Sequence, residues 1–346
     1  MASSKGKQPV KLSSGIHAGA GIPIAEPAKP ILTTEFGTKV VMHNVIFPSG
    51  DEQDYFPMQE YRSGEHVYSE VEVIQRALKR DAGDDTRRVT TVYFMSPPGL
   101  GKTVLGAWLA REHGCPYQVI NCVSSMTDLD LLGSHVLVGQ ETIWQDGPLP
   151  SIIRATNEHG MGILIINELN ALTTNAQLGL NPLLDKQQCV ILTQNNNERV
   201  QVQSGAHLLI LASMNPDIMG VNELQDAVRD RSNIVLFFDY PSVEKEADLV
   251  HMLTGLDTAI AARFASVINE CRLLKTRDRQ ITQAPSTRGL LDWINYAPVL
   301  GTEIAFELAV VNRYGTTEDE RNALKMIARG KHIADLVVTS ASFKEV

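Results

Sequence analysis

A chain of 346 residues with an apolar fraction of 43% has room for one large core and a smaller companion, which predicts a two-domain globular protein. The net charge of −9 opposes indiscriminate binding to nucleic acid or to an anionic membrane surface. No apolar run approaches the roughly 20 residues that span a bilayer, and MASSKGKQPVKLSSG lacks the apolar centre of a signal peptide, so a cytoplasmic protein without membrane contact is expected.

In chain order, residues 1–45 mix Ser, Gly, Ala and Pro without helical or alternating periodicity, which predicts an extended or partly disordered arm. Ser69 with Glu72 three residues on, followed by Ile74, Ala77 and Leu78, predicts a capped helix that ends near Gly83. Strands are then expected at Val92–Met95, Gln118–Val123, Ile163–Ile166 and Leu208–Ala212, with a helix from Lys102 to about Glu112. This alternation predicts an α/β unit over residues 46–240, a parallel sheet wrapped by helices. Beyond Tyr240 and Pro241 five successive segments carry helical spacing, so residues 241–346 are expected to form a smaller helical domain. Cys115, Cys122, Cys189 and Cys271 show no CxxC spacing, which favours buried thiols over disulfides or zinc.

The chemistry starts at YFMSPPGLGKT, residues 93–103, where an apolar run breaks into Pro97, Pro98 and Gly99 and resumes after Gly101. A glycine-rich turn between strand and helix turns backbone N–H groups inward, and the helix adds the positive end of its dipole. Ser96, Pro97, Pro98, Gly99, Leu100, Gly101, Lys102, Thr103 and Val104 therefore form a candidate phosphate cradle, with Ser96 standing where the P-loop pattern has its first glycine. Lys102 would reach the outer phosphates of ATP, and the Thr103 hydroxyl would serve Mg²⁺. At residues 162–172, GILIINELNAL ends a buried strand in Asn167 and Glu168, the place of the Walker B acidic pair with the first acid replaced by an amide. Glu168 is the candidate to polarise the attacking water, and Asn167 can join a Mg²⁺ shell through its carbonyl oxygen alone. HLLILASMNPD is another strand, ending in Asn215, which a parallel sheet would bring to the same crevice.

The order of these motifs resembles the AAA+ ATPases, and within them the MoxR group with its CbbQ/NirQ/NorQ branch. The likeness runs from about residue 65 to 330 through DLLG at 130–133, DGPLPSIIRA at 146–155, NELNAL, ASMNPD, FFDYPSVEKEADLV and PSTRGLLDW. It implies a sensor-one role for Asn215 and a sensor-two role for Arg288. It also implies a trans-acting finger at Arg231, with Arg229 as the nearby alternative, and Ser232 departs from the aromatic residue usual after the finger. A hairpin is implied over CVILTQNNNERVQVQ, and an insertion over residues 124–147 whose Leu137, Val138 and Trp144 would face a client. A homo-oligomer, expected as a hexameric ring, and a client reached with a von Willebrand factor A domain partner follow from the resemblance alone.

Three functions fit these features. The first is an ATP-hydrolysing ring that remodels or activates a protein. The second is an assembly module that ATP orders with little turnover, because Asn167 replaces the acid. The third, a nucleic-acid motor, is disfavoured by the acidic balance and by a hairpin whose one basic residue is Arg199.

Overall fold

In the computed structural model of this protein, residues 31–33, 39–41, 43, 45–82, 84, 86–215, 225–339, 342 and 343 are described. Five parallel strands build the central sheet: β1 (Val89–Met95), β2 (Tyr117–Asn121), β3 (Met161–Asn167), β4 (His207–Met214) and β5 (Ile234–Phe237). They lie in the order β5-β1-β4-β3-β2, so all five carboxyl ends open on one edge.

Helices α1 (Glu70–Asp81), α2 (Lys102–His113) and α3 (Pro148–His159) cover the sheet. Ile163 and Ile165 of β3, with Leu209 and Leu211 of β4, pack with Ile74, Leu105 and Leu109 from α1 and α2. Their alternates Leu164, Ile166, Leu208 and Ile210 pack on the other face with Ile152 and Ile153 of α3. The period of two thus explains why runs such as ILII are apolar throughout: both faces of the strand are covered. Helix α1 carries the expected capping box between Ser69 and Glu72. At Gly106 of α2 there is no room for a side chain, since a β-carbon would lie 2.4 Å from Cδ1 of Ile165. Helix and strand therefore touch at backbone distance.

Two features were not expected. The edge strand β5 is short and turns Val235 and Phe237 outward, which weakens its apolar signal. A second, four-stranded sheet joins Ile31–Thr33, Lys39–Val41, Glu141–Asp146 and Gly133–Val138 in that order. Two short strands thus lie inside the segment read as an arm, and Val40 and Val41 run parallel to Trp144 and Gln145. Most of the rest of residues 1–45 lies outside the described residues. The Asn-rich hairpin is present, Cys189–Leu192 pairing with Glu198–Gln201. Its turn holds Asn196 and Asn197 at φ of 54° and 56°, a left-handed conformation that asparagine tolerates better than most residues.

From Val243 onward the regular elements among the described residues are helices. The longer ones are α4 (Val243–Thr254), α5 (Thr258–Thr276), α6 (Thr287–Leu300) and α7 (Glu318–Gly330). Phe264, Trp293 and Phe306 stack at the centre with ring centroids 4.4 and 4.8 Å apart. All four cysteines are buried and unpaired. Among the described residues no helix is long and apolar enough to cross a membrane.

Candidate functional site

The loop between β1 and α2 has the backbone a phosphate cradle needs. Gly99 and Gly101 take φ of 80° and 65°, the left-handed region where a β-carbon is costly. The Ser96 N–H donates to the Met214 carbonyl at 3.1 Å, which ties the loop to the end of β4. Lys102 folds back over the loop, its Nζ donating to Oγ of Ser96 and, at 3.0 Å, to the Pro97 carbonyl. Burial pushes its pKa down to about 8, and the nearby Glu168 carboxylate pulls the other way. The lysine is held by a hydroxyl and a carbonyl, weak partners that a phosphate can displace.

Next to it, Thr103 Oγ1 donates to Asn167 Oδ1 at 3.2 Å, and Asn167 Nδ2 donates to Asn121 Oδ1 at 2.8 Å. The amide at 167 thus bridges the helix start to the end of β2. These two oxygens of Thr103 and Asn167 are the side-chain groups available to the water shell of a Mg²⁺ ion. Glu168 is exposed and left-handed at φ 58°, a strained position for a non-glycine residue, and its N–H donates to Ser213 Oγ at 3.3 Å. Asn170 donates to the Asn215 carbonyl at 3.1 Å, joining the turn after β3 to the end of β4, while its own Oδ1 is buried without a hydrogen-bond partner. Lys102, Thr103, Asn167, Glu168 and Asn215 therefore converge on the carboxyl edge of the sheet.

Arg288 is the second residue of α6, and its exposed side chain makes no hydrogen bond or ion pair with another described residue. The preceding Ser286 lies against the loop: a β-carbon on Gly99 would come within 2.9 Å of Ser286 Cβ and 3.9 Å of the Arg288 nitrogen. The helical domain thus touches the phosphate loop at its glycine.

Arg229 and Arg231 do not join this group. Their segment is pinned to the middle of β1, where the Asn233 N–H donates to the Thr91 carbonyl at 2.9 Å and Asn233 Oδ1 accepts from the Thr91 N–H at 2.7 Å. Asn233, two residues past Arg231, therefore lies level with Thr91, four residues back from Met95 at the carboxyl edge. Arg229 is exposed, and its guanidinium makes no hydrogen bond or ion pair with another described residue. Arg231 is half-buried, its guanidinium donating to the Ala227 carbonyl and lying 3.5 Å from Asp185.

Several residues at the site carried no motif. Tyr55 and Met58 flank the loop, 3.6 and 3.7 Å from where a β-carbon on Gly101 would be. Both are held by the fully buried Glu70, whose Oε1 accepts from the Tyr55 hydroxyl and the Met58 N–H, each at 2.7 Å. An acid in the first turn of α1 looks like a dipole partner, which hid this role. Tyr61 and Tyr68, closer to the loop in sequence than Tyr55, make other contacts: Tyr61 bonds the Phe237 carbonyl and Tyr68 lies under Arg76. Trp144 corrects the expectation of a client-facing ring, because it is 1% exposed and donates to Asp146. Leu137 and Val138 are exposed at 73% and 52%.

Residues 92–232 match the AAA domain (dynein-related subfamily). Protein NorQ of Paracoccus denitrificans is 27% identical over 198 residues, which cover 57% of this chain and 69% of NorQ. The denitrification regulatory protein NirQ of Pseudomonas aeruginosa is 27% identical over 223 residues, 64% of this chain and 78% of NirQ. Protein CbbQ of Hydrogenophilus thermoluteolus is 27% identical over 260 residues, 71% of this chain and 92% of CbbQ. Residues 92–232 thus match an AAA domain of the dynein-related subfamily, a match that supports ATPase activity, and the chain is similar to NorQ, NirQ and CbbQ.

Proposed function

We propose that this protein forms a ring, a hexamer by analogy with its family, that hydrolyses ATP at the seams between subunits and works on a protein client. The separation of the arginines from the phosphate loop carries the reading. Among the described residues no hydrogen bond or ion pair joins Arg229 or Arg231 to Lys102 or Glu168, which suits a role for one of them on the γ-phosphate of a neighbouring copy. In this reading the backbone from Ser96 to Val104 and Lys102 hold the triphosphate, and Glu168 takes the proton of the attacking water. Asn215 orients that water. Arg288 ties the helical domain, residues 241–346, to the nucleotide bound by residues 46–240. Magnesium supplies positive charge against the phosphate oxygens, with Thr103 and Asn167 at its water shell. The exposed Leu137 and Val138 suit contact with a client, and a von Willebrand factor A domain partner in the cytoplasm suits the likeness to NorQ and CbbQ.

The test is phosphate release together with sedimentation in ATP and Mg²⁺. Turnover that Glu168→Gln abolishes, in a species several subunits in size, is the expected result; a monomer at every concentration would sink the ring. A pull-down with Glu168→Gln in ATP should hold the client. A second reading, an assembly module ordered by ATP with little turnover, is favoured by the neutral Asn167 and its bond to Asn121. Asn167→Asp restores the charge, and the Asn121 amide can reverse to donate to it. We expect the half-saturating Mg²⁺ concentration to fall about tenfold in that variant; an unchanged magnesium dependence would show that the amide has no such cost.

A further inference from the structure

We infer that Glu246 and Arg272 are positioning residues for the nucleotide, acting through the Pro285–Thr287 turn that presents Ser286 to Gly99 and Arg288 to the phosphate loop. The inference rests on the reading that this loop takes ATP. Arg272 of α5 donates to both oxygens of Glu246 of α4, at 2.6 and 2.7 Å, and its Nε donates to the Pro285 carbonyl at 2.9 Å. Thr287 Oγ1 donates to the same Glu246 Oε1 at 2.7 Å, so one carboxylate and one guanidinium grip the turn on both sides of Ser286. Glu246, Arg272 and Thr287 are 0%, 4% and 3% exposed. Tyr240, at the junction of the two domains, lies under the guanidinium with 4.0 Å to its ring centroid. Ser286 is fixed from a third direction by the Tyr314 hydroxyl at 2.9 Å.

A buried ion pair is a poor source of stability, because desolvation offsets most of the Coulomb gain and an apolar pair of similar volume does as well. What it supplies is direction. The bidentate fork uses Nη1 and Nη2 and leaves the Nε–H for the Pro285 carbonyl, and Glu246 keeps lone pairs for Thr287, so one ion pair holds both sides of the turn. That geometry sets the Arg288 nitrogen 3.9 Å from where a β-carbon on Gly99 would be. Glu246 lies on the face of Leu249 and Val250, and Arg272 on the face of Ile268, one acid and one base on apolar stripes of consecutive helices.

Glu246→Gln leaves a buried guanidinium underpaired and is prone to unfolding, so the test uses Thr287→Val, which removes one hydroxyl and keeps the Glu246–Arg272 pair. Binding of the fluorescent analogue N-methylanthraniloyl-ATP is titrated in the wild type, Thr287→Val, Thr287→Ser, and both variants again in an Arg288→Ala background. We expect Thr287→Val to weaken binding about fivefold, the loss of one hydrogen bond, and Thr287→Ser to restore it. In the Arg288→Ala background Thr287→Val should change affinity less than about twofold, since the positioned group is gone. Equal losses in both backgrounds, or none in either, overturn the inference while the nucleotide reading stands. A wild type that takes up no analogue overturns both.

Discussion

Lys102 holds its charge loosely until a phosphate arrives. Its ordinary value of 10.5 falls to about 8 because the ammonium is buried, with Glu168 only partly restoring it. A bound triphosphate raises that value again, so binding above pH 8 takes up a proton. Affinity for the fluorescent ATP analogue should be level to about pH 7.5 and then fall on the order of tenfold per pH unit, until the pKa of the bound state is reached. Lys102→Arg, whose charge does not titrate in this range, should give a flat profile if it binds; a wild-type profile flat to pH 9.5 would refute the assignment. For the free protein the sign is the reverse. The unfolded lysine holds its proton up to about 10.5, so between about 8 and 10.5 the unfolded state binds more protons and stability rises with pH. At this scale the sequence was informative wherever one residue does one job. Lys102, Thr103 and Glu168 were legible because phosphate chemistry dictates both residue type and spacing. Tyr55, Glu70, Glu246 and Arg272 were not, because each acts through a partner far off in the chain, and one sequence does not reveal pairing.

Among the elements, the hairpins Gly133–Asp146 and Cys189–Gln201 share one charged joint. Arg154 of α3 lies 2.7 Å from Asp146, at the end of the first hairpin, and 2.8 Å from Glu198, in the second. Asn195 in the turn of the second hairpin also donates to Glu198, at 2.8 Å. Removing the cation leaves two carboxylates with little solvent to replace it, Asp146 fully buried and Glu198 at 9%. Arg154→Met should lower unfolding free energy by about 3 kcal/mol in a denaturant titration. Adding Asp146→Asn and Glu198→Gln should return most of it, and a triple variant no better than the single one would argue against the joint. The helices and buried strands were readable because periodicity reports burial directly, as with the alternate faces of Ile163–Ile166. Strand β5 and the second sheet were not, since short strands with one exposed face carry too few residues for a pattern. Trp144 misled for a related reason: it reads as a loop residue, but it lies in a strand paired with a distant part of the chain, and its ring packs into the core against His135.

For the whole molecule the proposed ring makes the decisive relation one between copies. If Arg231 acts on a neighbour's nucleotide, its contacts with the Ala227 carbonyl and Asp185 hold the guanidinium ready, and the 3.5 Å ion pair is weak enough to yield. Arg231→Ala should then abolish turnover, and so should Glu168→Gln. Mixed in equal amounts, the two inactive proteins should recover about a quarter of the wild-type rate, because one seam in four joins an intact glutamate to an intact arginine. Recovery with Arg229→Ala in its place would move the role to Arg229, and no recovery with either would exclude a shared site. The architecture, a parallel sheet followed by a helical companion, was legible from the alternation of elements. The contact of Ser286 with Gly99 was not, because it depends on how the two parts lean on each other.

The absence of a side chain at residue 106 reaches further than packing. With α2 pressed onto β3 until Ile165 fills the space beside Gly106, the helix that starts at Lys102 and the strand that ends at Asn167 form one close-packed block under the candidate site. If the proposed ring forms, any tempo in its cycle is imposed from outside that block, by the helical region and by the adjoining copy. Natural variation that speeds or slows such an engine would accumulate in those parts and spare the block.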